Sequence, residues 1–445
     1  METILILGAG RSSSAMISYL LQQAEQNQWQ ILVGDFSEAS ARERIGNSPY
    51  GKALAFDIHN RKLSKSVIEQ AKVVISLLPP HLHIRVAELC LELNKHLLTA
   101  SYVSAEMKGL HDEAKNKKLL FLNECGLDPG IDHMSAMQVI DRIKSEGGKL
   151  LSFESFTGGL IAPETEPENP WRYKFTWNPR NVVMAGQGTA KYLQDGKHKY
   201  IPYQQLFKRT TQVNVTGYGS FEGYANRDSL SYIETYNLHG IQTMLRGTLR
   251  SFGFCDAWNI LVQLGCCDDT YMLSDTATMT HLDFINSFLG DGSLSAEQKI
   301  ANQFDLDPEG PEIQKLRWSG FFDDTLIEPD KGTPAQIVES ILNRKWKLYA
   351  HDKDMIVMYH RFVFEKDGSK KEIQASLVVK GDNAVHTAMA KTVGLPLGIA
   401  ARLLLLNKIS ERGVCIPISP EFYNPILAEL KTLGVELDEK EVVVV

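Results

Sequence analysis

Three absences narrow the possibilities for this 445-residue chain before any motif is read. There is no excess of basic charge. The formal net charge is −7 at pH 7, which gives no sign of nucleic-acid or anionic-membrane binding. An anionic substrate would have to be held by arginines placed locally against that field. There is no Cys-x-x-Cys spacing either. Cys90, Cys125, Cys255, Cys266, Cys267 and Cys415 sit in apolar or helical contexts and read as reduced thiols, not as a disulfide framework. Finally, no apolar run reaches the roughly 18 residues that suggest a membrane span. The first residues enter a strand pattern at once, leaving no room for a signal peptide. The expectation is a soluble, cytoplasmic protein without a membrane or nucleic-acid partner. Internal repeats and low-complexity linkers are also missing, and the length predicts two or three domains.

What is present begins with alternation. Apolar, β-rich runs occur at 3–10, 30–36, 52–58, 72–79, 96–102 and 118–124, separated by helical periodicity at 13–26, 83–95 and 104–117. Near-continuous apolar strands between helices predict a parallel sheet covered on both faces. Beyond residue 150 the pattern changes to short strands with Gly and Pro punctuation, at 150–160 and 212–221. Residues 255–320 read as mostly helical. Residues 345–380 read as hairpins turning at Asp352–Asp354 and at Asp367-Gly368. A buried, nearly all-apolar helix is predicted over 384–408, kinked or interrupted at Pro396.

The expected architecture is α/β. A doubly wound, parallel-sheet dinucleotide-binding (Rossmann) domain spans 1–130, and an α+β substrate and dimerisation domain is inserted over 131–254 and 335–385. A helical subdomain covers 255–334, and residues 386–445 return to the first domain.

Gly8-Ala9-Gly10-Arg11-Ser12-Ser13 follows the first strand and opens a helix. Gly8 allows a tight turn, Gly10 lets backbone approach a pyrophosphate, and the helix start supplies amides. Ser13 replaces the third glycine of the usual fingerprint, while small residues at 12–15 still permit close packing and phosphate hydrogen bonds. Asp35, ending the second strand, suits a ribose 2′-hydroxyl and would repel a 2′-phosphate, which slightly favours NAD over NADP. Arg11 and Arg42 lie near enough in sequence to pair with such a phosphate. Asp57 and Ile58 are candidate adenine neighbours, although Asp57 reads equally well as a solvated strand-end carboxylate. Ser76-Leu77-Leu78-Pro79 ends the fourth strand where strand order reverses, the usual place for the nicotinamide.

Further motifs occur in order: TASYVS (99–104), NECGLDPGIDHM (123–134), FTGGLIAPE (156–164), YKFTWNPR (173–180), YANRDS (224–229), RGTLR (246–250) and AKTVGLPLGIA (390–400). Together, over nearly the whole chain, they resemble the saccharopine reductases, the glutamate-forming saccharopine dehydrogenases. The resemblance implies reversible oxidation of saccharopine to L-glutamate and 2-aminoadipate 6-semialdehyde, in lysine metabolism, by a protein that often dimerises. It also implies NADP, which the fungal enzymes usually prefer, where Asp35 alone points to NAD. As substrate contacts it implies Ser101, Tyr102, Asp128, Arg227, Thr248 and Arg250, with Trp177 at the junction of cofactor and substrate.

Saccharopine is a secondary amine with three carboxylates, so arginines such as Arg227, Arg246 and Arg250 suit its site. Each has a plainer alternative. Arg227 could pair with Asp228, Arg246 and Arg250 could form a solvated face of a helix, and Tyr102 could be a core tyrosine. Cys125 reads as a small buried residue. His81 and His83 lack further ligands at metal spacing, so no metal is expected.

In 123–136, Gly126 and Gly130 let the backbone pass close to the nicotinamide, with Leu127 beside it, Pro129 stiffening the turn and Asp132 capping the next helix. Asp128, between the glycines, is the best candidate for a catalytic or orienting group, its alternative being a turn residue. A carboxynorspermidine- or homospermidine-type dehydrogenase is the runner-up chemistry. A nucleotide-binding sensor without catalysis is the alternative from another class.

Overall fold

The computed structural model describes residues 1–443; residues 444–445, the end of the segment expected to return to the first domain, lie outside the described residues. The chain forms two compact units, Met1–Gly148 with Leu377–Asp438, and Lys149–Ser376 with Glu439–Val445.

In the first unit, β1 (Thr3–Leu7), β2 (Gln30–Asp35), β3 (Gly51–Ala55), β4 (Val73–Ser76), β5 (His96–Thr99) and β6 (Leu120–Leu122) correspond to the six apolar runs. All neighbouring pairs are parallel. The order is Gly413–Cys415, β6, β5, β4, β1, β2, β3. β1 and β4 are buried along their whole length, as helices on both faces require. Strand order reverses between β1 and β4, so ligand chemistry is expected at the carboxyl ends there.

Several boundaries differ from those read from sequence. The helix Ile131–Ser145 belongs to the first unit, not to the inserted domain, and residues 377–385 return with it. The helical region 255–334 is part of the second unit and does not separate as a subdomain. The strand Gly413–Cys415 extends the first sheet; three residues carry too little period to be read in advance. The segment 104–117 breaks into Ala105–Gly109 and His111–Asn116.

The apolar helix starts at Ala388 and runs to Leu405 without interruption at Pro396. A proline in a helix interior costs about 3 kcal/mol locally, and this helix is buried over most of its length. Gly394 lies so close to the helix Ser14–Asn27 that a Cβ there would sit 3.0 Å from Met16 Cβ and 3.0 Å from the Ser12 carbonyl oxygen. By length and composition this 18-residue helix could cross a membrane, but 83% of it is buried inside the protein, as a core helix would be.

The second unit is built on a nine-stranded mixed sheet. Its main path runs Thr210–Val215, Gly219–Ala225, Thr243–Ser251, Lys149–Ile161, Asp354–Lys366, Ser369–Lys380, Leu437–Val443. The expected short strand at 150–160 is part of a 13-residue strand at its centre. Asp367 (φ 54°) and Gly368 (φ 72°) make the tight hairpin turn. The turn at Asp352–Asp354 instead leads out from the helix Pro334–Trp346, so one hairpin forms where two turns were expected. Trp171, Tyr173, Phe254, Trp258 and Trp346 pack edge-on or stacked into an aromatic core, with Tyr173 and Trp346 ring centroids 4.9 Å apart.

Candidate active site

Between β1 and the following helix, Gly8 adopts φ +105° and donates its amide to the Gly34 carbonyl at 2.8 Å. A Cβ there would meet the Leu77 carbonyl oxygen at 3.2 Å, so the turn demands glycine twice over. Gly10 faces open space, the opening a diphosphate needs, and the chain turns directly into Arg11–Ser13 and the helix beyond. Arg11 is exposed and Ser12 half-buried. Ser13 is fully buried, and its hydroxyl donates to the Gly10 carbonyl at 2.8 Å, so it braces the turn instead of meeting a phosphate. These residues fit a dinucleotide.

Asp35 does something the sequence did not indicate. Its Oδ2 accepts the Ala9 amide at 2.7 Å and its Oδ1 accepts the Ser37 amide at 2.9 Å. The carboxylate thus stitches the end of β2 to the glycine turn. Asp57 accepts the His59 amide at 2.9 Å, Ile58 is buried beside it, and Ser76 is buried at the end of β4. Leu77 and Leu78 are half-buried and Pro79 is exposed.

Around the ends of β4, β5 and β6 lie four polar side-chain pairs. His83 Nδ1 lies 2.9 Å from Ser76 Oγ and His83 Nε2 lies 2.8 Å from Ser101 Oγ. The Tyr102 hydroxyl donates to Asp128 Oδ1 at 3.5 Å. Glu124, at φ 55°, holds His133 Nε2 at 2.8 Å through Oε2 and accepts the Val103 amide at 3.0 Å through Oε1. Burial lowers the His83 pKa to about 4, keeping the ring neutral at neutral pH.

The loop between β6 and the helix Ile131–Ser145 folds on itself. Gly126 donates to the Pro129 carbonyl at 3.0 Å, Ile131 donates to the Gly126 carbonyl at 2.8 Å, and the Asp128-Pro129 peptide is cis. A Cβ on Gly130 would fall 2.1 Å from the Gly126 carbonyl oxygen, and one on Gly126 would fall 2.8 Å from Ala100 Cβ. The glycines are thus required by the loop's own packing. Gly126, Leu127 and Pro129 are buried, while Asp128 stays half-exposed. Asp132 sits inside the first helical turn, not at the cap position, and accepts the Gly130 amide at 2.6 Å. Cys125 is buried with its pKa pushed up by desolvation, in keeping with a small core residue. Among the described residues no group of three or more His, Cys, Asp and Glu is placed to hold a metal.

In the second unit, Arg246, Thr248 and Arg250 lie on the strand Thr243–Ser251, not on a helix. Alternation puts all three on one face, where a helix would have kept the two arginines together but turned Thr248 away from them. Both arginines are buried, at 8% and 4% exposure, which removes the solvated-face alternative. Arg246 lies over the Tyr232 ring at 4.0 Å, and Arg250 is framed by the Tyr173, Phe254 and Tyr224 rings at 5.1, 5.3 and 5.9 Å. Directly across the ladder from Arg250 stands Glu222, yet its carboxylate is taken by the Gly253 and Cys255 amides at 2.7 and 2.9 Å, at the start of the helix Phe254–Leu264. Arg250 donates to the Leu249 carbonyl, and its Nε has no partner among the described residues. Arg227 is exposed at φ 50°, and its neighbour Asp228 accepts the Leu230 amide and lies 4.0 Å from Lys191. Trp177 is 36% exposed.

Glu124, His133, Glu222 and Tyr173 were not singled out from sequence, and His83 was considered only as a metal ligand. Glu124 and His133 both lie within 123–134, but their pairing depends on how the glycine loop folds back.

The chain matches the family model described as saccharopine dehydrogenase NADP binding domain over residues 4–122, and that of the saccharopine dehydrogenase C-terminal domain over 126–435. The chain belongs to the saccharopine dehydrogenase family. Among its relatives, the saccharopine dehydrogenases [NADP(+), L-glutamate-forming] of Saccharomyces cerevisiae and Schizosaccharomyces pombe are 32% and 30% identical, each over 99% of both chains. The solved apo saccharopine dehydrogenase (L-Glu forming) of Saccharomyces cerevisiae superposes with a TM-score of 0.91 over 100% of both chains, at 31% identity. Within this family the slight preference for NAD drawn from Asp35 finds no support: the relatives are NADP(+) enzymes by name, and both Asp35 oxygens are engaged by backbone amides.

Proposed function

We propose that the protein is an NADP-dependent, L-glutamate-forming saccharopine dehydrogenase. It converts saccharopine, oxidised cofactor and water into L-glutamate, 2-aminoadipate 6-semialdehyde, reduced cofactor and a proton, reversibly and as part of lysine metabolism. The observation that carries the substrate class is Arg250. It is a guanidinium buried among aromatic rings, whose opposing carboxylate is committed to a helix start. A charge so placed needs an anionic partner, and saccharopine brings carboxylates. Arg246, on the same strand face, supplies a second buried cation. The cationic arms of a polyamine-derived substrate would be repelled by these arginines, which disfavours the runner-up chemistry.

A nicotinamide held at the glycine turn would supply the hydride acceptor for the substrate carbon on the aminoadipate side of the amine. The chain's own residues align and desolvate. Asp128, with the Tyr102 hydroxyl against its Oδ1, orients the amine and holds its proton. Glu124 and His133 fix the loop that presents Asp128. By the family resemblance, Ser101 in the first unit and Trp177, Arg227 and Thr248 in the second are further candidate substrate contacts, and Gly8, Gly10, Arg11 and Ser12 candidate phosphate contacts. Water then attacks the substrate imine, which collapses to the two products.

The free cysteines suit a reducing, cytoplasmic setting, and a homodimer belongs to the same reading, to be checked by sedimentation. The functional test is the near-ultraviolet absorbance of reduced nicotinamide during saccharopine oxidation, with NADP and NAD run side by side. Faster turnover with NADP is expected. Faster turnover with NAD would overturn the cofactor assignment, and no turnover by protein shown to bind the cofactor would overturn the substrate.

A further inference from the structure

One buried side chain in the first unit links two strand ends and has no part in the chemistry above. His83 opens the helix His83–Leu93 and is 4% exposed. Its Nδ1 lies 2.9 Å from Ser76 Oγ, at the end of β4. Its Nε2 lies 2.8 Å from Ser101 Oγ, just beyond β5, and 3.3 Å from Thr99 Oγ1. Burial keeps the ring neutral near pH 7, so it carries one N–H and one lone pair.

The partners decide which nitrogen holds the proton. Two hydroxyls face Nε2 and one faces Nδ1. A single lone pair on Nε2 would serve two hydroxyl donors poorly, whereas an N–H is readily shared between two acceptors, the nearer one dominating. Thr99 Oγ1 already acts as an acceptor, for the Ser101 amide at 3.3 Å. The consistent arrangement has Ser76 donating to Nδ1 and Nε2–H donating to Ser101 Oγ. The hydroxyl proton of Ser101 is then left without an acceptor among the described residues, on a side chain that is only half-buried.

We propose that His83 is a positioning residue that, as its Nε2–H tautomer, fixes Ser101 as an outward hydroxyl donor for a carboxylate oxygen of the substrate. The proposal rests on the saccharopine reading given above. Its chemistry is selective. A carboxylate oxygen accepts that proton, while an ammonium, which only donates, gains nothing from it.

Two measurements test this together. Long-range nitrogen–proton NMR of protein carrying labelled histidine, assigned with His83→Gln, reports the tautomer without any turnover. A protonated Nε2 and bare Nδ1 near neutral pH are expected, and a protonated Nδ1 or a charged ring overturns the proposal. In kinetics, His83→Asn keeps a polar group near Nδ1 but no longer reaches Ser101. His83→Gln places an amide donor near the Nε2 position. His83→Asn should raise the saccharopine KM about tenfold, the scale of one hydrogen bond to a charged group, and leave the cofactor KM unchanged. His83→Gln should recover most of that loss, and adding Ser101→Ala to His83→Asn should cost nothing further. Equal effects of the two histidine variants, or additive losses with Ser101→Ala, overturn the proposal. If the wild-type protein fails to oxidise saccharopine, the substrate reading falls, while the NMR result still judges His83.

Discussion

Arg250 shows how a single residue acquires a binding role from what its neighbours are doing. Glu222 stands opposite it in the ladder and would ordinarily neutralise it, but two backbone amides at the start of a helix hold that carboxylate. Breaking a charge-assisted contact with a ligand costs about 1.5–3 kcal/mol, so Arg250→Ala should lower kcat/KM for saccharopine by roughly ten- to a hundredfold. Arg250→Lys should restore little, since a point charge cannot reproduce the guanidinium fork between the Tyr173 and Phe254 rings. Unchanged kcat/KM in the alanine variant would remove Arg250 from the site. The sequence named Arg246 and Arg250 as cations for carboxylates but placed them on a helix. Their i,i+4 spacing fits a helix face, and in this strand it also leaves them on one face; only the ladder partners decide. The Glu222 decoy was invisible, because nothing local in the sequence says which amides a carboxylate will choose.

At the scale of elements, the glycine turn is held by β2 as much as by its own glycines. With Asp35 spent on the Ala9 and Ser37 amides, Asp35→Ala should weaken NADP and NAD alike through a loosened turn. Steady-state KM values for both cofactors should rise by similar factors; a change in their ratio alone would return Asp35 to the ribose. The doubly wound sheet was legible from its apolar runs, because strands buried on both faces leave an unbroken record of Val, Ile and Leu. The continuity of the C-terminal helix was not, since Pro396 normally breaks a helix, and the close packing of this helix on the helix Ser14–Asn27 joins segments far apart in sequence. Gly394 is one point where that packing is close, with backbone as well as side chain within 3.0 Å of an added Cβ. Gly394→Leu should destabilise the protein by about 1–3 kcal/mol in urea unfolding, as overpacking does. No loss of stability would contradict that close approach.

For the whole molecule, two neutral histidines, His83 buried and His96 half-buried, tie stability to pH. His83 and His96 both have pKa values lowered by burial to about 4, below the roughly 6.5 of an unfolded chain. Between those values the unfolded chain binds protons that the native protein does not, so stability is fully present above about pH 6.5 and is lost as pH falls toward about 4. For His83 the loss is on the order of 3 kcal/mol at most, and His83→Gln should flatten the unfolding profile over that range. An unchanged acid slope would mean the histidine is protonated in the fold. The reaction itself is decided by which side of the secondary amine is cleaved. The decisive measurement is quantitation of the amino acids released from saccharopine against reduced cofactor formed. One L-glutamate per reduced cofactor, with no lysine, is the expected result; release of lysine and 2-oxoglutarate would contradict the proposed function.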